Sequence, residues 1–284
     1  MPCGDLHSGA WPQDWWRLLV GVLRVWWFRV FGMPAETVLV LAASALLLVG
    51  AGAAARRGTR LAASGRLWDV ALLAPLGAAL AIGGALVWRG LRLQQFPVLG
   101  GMEAVCWYAL AVTVSYVCVG LRQAMVRPLG AVLLPYAAVV LGLAVVLGPG
   151  TSAAAGRYRS ELLGVHVLAA FAGYGMFTVE SVLALAYLVQ DHCLKRKRAG
   201  ILVRELPPLE VLDRVMQELI GPAFLLFTVS VGMGVWLAVA HHLGTGWVTD
   251  AKVVATGATW LVYGVLFILR RGADHHGSRL AWVA

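Results

Sequence analysis

Residues 160–190 read SELLGVHVLAAFAGYGMFTVESVLALAYLVQ, and DHCLKRKR follows directly. At 1.5 Å per residue this apolar run is long enough to cross a bilayer core of about 30 Å. A basic block closes it, and one histidine, His166, stands near its start. His166, Tyr174, Thr178 and Ser181 are spaced by eight, four and three residues, which groups them roughly on one face of a helix. A polar stripe headed by an ionisable group inside an apolar span marks a candidate functional site. The competing reading is a histidine that only hydrogen-bonds a neighbouring helix.

The rest of the chain repeats this character. Of its 284 residues 60% are hydrophobic and 13% charged, against about 25% charged in a soluble domain. Its mean hydropathy is +0.79. Such runs are too long for barrel strands, so the expected fold is all-α, a polytopic helical membrane protein. Thirty-three glycines suit close helix packing. The net charge of +9 fits basic loops on one side of a membrane, and no nucleic-acid partner is expected. Cys3, Cys106, Cys118 and Cys193 form no CxxC or zinc spacing.

Seven spans are expected, near 35–55, 68–88, 103–121, 129–148, the quoted stretch, 219–240 and 251–269. Residues 1–34, with five tryptophans around Arg17, Arg24 and Arg29, read as a basic aromatic helix lying in the interface, with a first spanning helix as the alternative. Residues 35–284 then form one transmembrane domain. The segment 207–218 places Leu209, Leu212, Val215 and Met216 at helical spacing and reads either as a second amphipathic helix on the membrane surface or as a simple connector. With the spans alternating, fifteen of the 23 Lys and Arg residues share the side of the KRKR loop and eight lie opposite. The positive-inside rule makes the richer side cytoplasmic, together with the C-terminus, and puts His166 near the outer face.

No P-loop, GxSxG, HExxH or dinucleotide fingerprint is present, so no enzyme activity is expected. The single acidic residue well inside a span, Glu180, lies toward the cytoplasmic end. It is read as pairing with a basic residue rather than as half of a proton relay. The outer side gathers Glu103, Tyr158, His166, His241, His242, Trp247, Asp250 and Lys252. Imidazole suits metal or haem iron, and tryptophan offers flat apolar faces as well as ordinary interfacial anchoring.

Four stretches, in order, resemble the cytochrome c assembly family of haem-handling membrane proteins, and within it the reduced HemX-like or YpjD-like branch. They are Arg89, Pro97 and Glu103 leading into FPVLGGMEAVCWYAL; LLGVHVLAAFAGYGMF, with His166 and Tyr174; LPPLEVLDRVMQELIGPAFLLFTVSVGMGVWLA, with Asp213, Thr228, Gly234 and Trp236; and GWVTDAKVVATGATWLVYGVLFILRR, with Trp247, Asp250, Lys252, Trp260, Tyr263 and Arg270. Together they span about residues 85–284.

The resemblance implies haem as cofactor and His166 as its iron ligand. Glu103, Tyr174, Trp247, Asp250 and Lys252 would complete the haem-binding set. The implied partners are other cytochrome c assembly membrane subunits and the lipid bilayer, in a bacterial inner membrane. The sequence also departs from the pattern. AIGGALVW holds no histidine before Arg89, Ile268 stands where another is expected, and Ala251 replaces the proline of DPKE. The pattern's last span would follow Ala284. Of four expected ligands His166 remains. The implied role is therefore an accessory that presents or relays haem in c-type cytochrome biogenesis. The alternative is a non-haem scaffold that uses its basic face to stabilise a tetrapyrrole-synthesis enzyme or an assembly complex. A transporter would need paired intramembrane charges or broken helices.

Overall fold

The computed structural model describes residues 21–22, 34–55, 65–98, 100–148, 161–196, 206–240 and 246–272. Most of the 1–34 segment lies outside these residues, as do Tyr158, His241 and His242. The described chain has no strand and runs through seven long helices. They are α1 (Ala35–Ala55), α2 (Gly65–Leu93), α3 (Gly101–Arg122), α4 (Gly130–Leu147), α5 (Glu161–Lys195), α6 (Leu209–Ala240) and α7 (Ala251–Gly272). All seven are long and apolar enough to cross a membrane. Helices are the natural outcome, because lipid offers no partner to an open backbone amide. This is a multi-pass membrane protein.

The helices form two packed groups. α1, α2, α3 and α4 enclose the larger core with one side of α5. Leu47, Ile82, Leu133, Leu134, Leu141 and Leu183 are almost fully buried there. α5, α6 and α7 share a second, aromatic core of Phe177, Phe227, Tyr263 and Leu266. Helix α5 therefore stands between the groups and belongs to both. Gly175 makes this possible on the α3 side, since a Cβ there would lie 2.6 Å from the backbone carbon of Ala111.

Two boundaries differ from the sequence expectation. Helix α2 continues past Trp88 to Leu93 and takes in Arg89 and Arg92. These charges do not end the helix, because acidic side chains on neighbouring helices receive them. Residues 209–218 are not a separate surface helix. They are the first turns of α6, and Leu212, Val215 and Met216 bury their apolar face in the larger core. Protein, rather than the headgroup layer, covers that stripe.

Between α3 and α4 the chain makes a short 3-10 turn, Ala124–Leu129. The Arg127 guanidinium donates to the Gly120 carbonyl at 2.6 Å, closing the C-terminal end of α3. The hydroxyl of Tyr116 donates to the Arg127 carbonyl at 2.9 Å.

Candidate functional site

His166 lies in the second turn of α5, half-buried against the last turns of α6. Its Nδ1 sits 2.8 Å from the backbone carbonyl oxygen of Ser230. The Ser230 hydroxyl lies 3.2 Å from the same nitrogen and donates to the His166 carbonyl at 3.0 Å. One helical turn further on, Gly234 leaves the space that the ring occupies. A Cβ there would stand 2.8 Å from Cε1.

The remaining stripe of α5 does not face one partner. The Tyr174 hydroxyl meets Thr256 of α7 at 3.3 Å, and its ring packs edge-on against Phe227 of α6 at 4.7 Å. Thr178 turns the other way, to Tyr108 of α3 at 2.7 Å, and Tyr108 in turn reaches Tyr136 of α4 at 2.8 Å. Ser181 lies 3.3 Å from Tyr263 of α7. Trp260 of α7 donates its indole N–H to Thr228 of α6 at 3.0 Å. The stripe thus spreads over about a third of the helix circumference and stitches α5 to three neighbours.

Three of the expected residues form the entry to α7. Asp250 caps that helix, its Oδ1 accepting the Lys252 backbone N–H at 2.8 Å. Asp250 and Lys252 are exposed, and Trp247 is half-buried in a short 3-10 turn. Among the described residues no hydrogen bond or ion pair joins these three to His166.

Glu103 has a different setting from the open outer surface expected. It lies in the first turn of α3, 2% exposed, and pairs with the equally buried Arg89. Glu36, in the first turn of α1, lies 3.6 Å from Arg89 and 2.7 Å from Arg92. Glu36 was missed in the sequence, where it reads as a lone charge at the head of an apolar span. Its signal was the need of two arginines in α2 for more than one carboxylate. The loop after α2 ties this cluster to the His166 end. Trp107 donates to the Pro97 carbonyl at 2.8 Å and stacks on Phe96. Phe96 fills the space over Gly164, whose Cβ would lie 3.1 Å from its ring.

A second charge cluster holds the other end of α7. Arg270, its side chain 2% exposed, lies 3.9 Å from Glu180 of α5 and 3.5 Å from Asp213 of α6. Glu180 therefore has the basic partner expected of it.

Among the described residues there is no group of three or more His, Cys, Asp or Glu that could hold a bare metal ion. Axial ligation of haem iron asks for less, one imidazole nitrogen. His166 fits that need, since among the described residues its ring is hydrogen-bonded through Nδ1 alone.

Residues 97–284 match the family model described as cytochrome C assembly protein. Protein HemX of Bacillus subtilis (strain 168) is 29% identical over 179 residues, which cover 62% of this chain and 64% of that protein. Protein HemX of Brevibacillus brevis is 29% identical over 178 residues, covering 60% and 62%. The chain thus matches less than two thirds of each relative's length. No solved structure matches. His166 with its α6 seat, Tyr174, Glu103 and the Trp247–Lys252 turn all fall inside the matched region, and the chain belongs to the cytochrome c assembly protein family.

Proposed function

We propose that this protein is a haem-handling accessory of c-type cytochrome biogenesis, and that His166 holds the iron at the outer membrane face. The observation that carries the reading is the seat of His166. A half-buried imidazole near one end of a spanning helix is locked to α6 through one nitrogen, inside the family-matched region. Haem, when bound, would supply the iron that His166 would hold through one imidazole nitrogen. Holding by a single protein side chain suits handover better than storage. Tyr174 and Trp247 would offer aromatic surface, and Lys252 a cation for propionate groups. Glu103, sealed in its ion pairs, would steady the Phe96 loop beside α5 rather than touch the haem.

The protein would catalyse no turnover by itself. It would act beside a larger assembly subunit that holds the apocytochrome, in the bacterial inner membrane with its C-terminus in the cytoplasm. Residues 35–284 would work as one transmembrane domain, with residues 1–34 as an interfacial helix. The scaffold alternative would use the basic LKRKR block together with the 207–218 segment as its contact, and of these the larger core covers the apolar stripe of Leu212, Val215 and Met216.

The test is an absorbance spectrum of the purified full chain, as isolated and after addition of haem. Wild type should give a Soret band, and His166→Ala should lose most of it. Equal spectra, or no band in either, would sink the haem reading.

A further inference from the structure

We infer that Gly234 and the Ser230 carbonyl of α6 are positioning groups that set the tautomer of His166 and aim its Nε2 as the ligating nitrogen. This deepens the haem-holding reading and names the nitrogen and the residues that present it.

The tautomer follows from hydrogen counting. A backbone carbonyl can only accept, and Nδ1 lies 2.8 Å from the carbonyl oxygen of Ser230. Two lone pairs do not face each other at that distance, so Nδ1 carries the hydrogen. The Ser230 hydroxyl cannot reverse this, because its one hydrogen goes to the His166 carbonyl at 3.0 Å. Its lone pair, 3.2 Å from Nδ1, shares the same N–H. In the neutral ring Nε2 is then left with its lone pair. That is the state an iron ligand needs, and a carbonyl on the far nitrogen is the usual way to fix it.

The seat depends on glycine. In a helix the Ser230 carbonyl points toward residue 234, four residues on. Any Cβ at 234 would lie 2.8 Å from Cε1, 3.4 Å from Nδ1 and 3.6 Å from Nε2, within the ring's own space. Gly234 is thus what lets the imidazole lie against α6 closely enough to reach the carbonyl. Gly232, two residues earlier, would meet nothing within 4 Å if it bore a Cβ. It serves as an internal control for the cost of changing a helical glycine.

The tautomer is read first, in haem-free protein with 15N-labelled histidine, the His166 signal being assigned by its loss in His166→Gln. A protonated Nδ1 and a bare Nε2 are expected. A protonated Nε2 would overturn the inference whether or not the protein takes haem. The role of Gly234 is read by a double-mutant cycle on thermal unfolding. Gly234→Ala should destabilise the wild type and have no such effect in His166→Ala, where the ring is gone. Equal effects in both backgrounds would show that the ring is not what Gly234 accommodates.

Haem retention is the third readout. Gly234→Ala should weaken it by about 10- to 100-fold, while Gly232→Ala should stay near wild type. Full retention in Gly234→Ala would also overturn the inference. If wild type binds no haem, the proposed function falls, and the labelled spectrum and the cycle still decide what positions the ring.

Discussion

A guanidinium in a membrane protein has to find its counter-charge within reach, and Arg89 finds two. It is 2% exposed and pairs with Glu103 of α3, while Glu36 of α1 lies 3.6 Å away and also takes Arg92 at 2.7 Å. Removing one member of such a buried set strands the others, at about 3–5 kcal/mol. Arg89→Met alone should therefore lower the unfolding temperature in detergent sharply. Adding Glu36→Gln and Glu103→Gln to it should recover much of the loss. A triple variant no more stable than the single one would mean that the pairing is not what stabilises this end. Part of the arrangement was legible in the sequence. Arg89 and Glu103 stand out because each interrupts or heads an apolar run. Glu36 did not, because a single acid just after a proline looks like an ordinary helix start. His166 was legible as a candidate, but its partner was not, since a backbone carbonyl leaves no mark in sequence.

At the level of elements, α7 is the most lightly held span. Leu261, Val265 and Ile268 face outward at 53–67% exposure. Among its attachments are the Phe177–Tyr263 ring stack at 3.6 Å, the Trp260–Thr228 and Tyr174–Thr256 hydrogen bonds, and Arg270 between Glu180 and Asp213. In lipid there is little hydrophobic drive to return a loosened helix, so its attachment rests on packing and on these polar links. Arg270→Ala should make a cysteine placed at Leu266, which is fully buried, reactive to a membrane-permeant maleimide in a background without native cysteines. Unchanged reactivity in Arg270→Ala would show that the aromatic contacts hold α7 alone. The spans themselves were readable because uninterrupted apolar runs have one fate in lipid. The first turns of α6 were misjudged because an amphipathic stripe looks the same whether headgroups or a protein core covers it. For the same reason the α5 stripe gave no hint that Thr178 turns to α3 while Tyr174 and Ser181 turn to α7.

At the scale of the whole molecule, spans taken as alternating divide the lysines and arginines of the sequence fifteen to eight between two sides. The fifteen-to-eight division predicts a cytoplasmic C-terminus. A fluorescent-protein fusion at the C-terminus should then fluoresce and an alkaline phosphatase fusion there should stay inactive. An active phosphatase would invert the molecule and move His166 to the cytoplasmic side. The seat of that histidine has one more consequence. Ser230 and Gly234 occupy a single turn of α6, so a one-residue screw motion, about 1.5 Å of slide with about 100° of roll, would bring Met233 or Val235 to the ring instead. The imidazole is in effect a vernier on the registry of two long helices. Anything that shifts α6 along α5 would be registered at Nε2 before it disturbed the rest of the bundle.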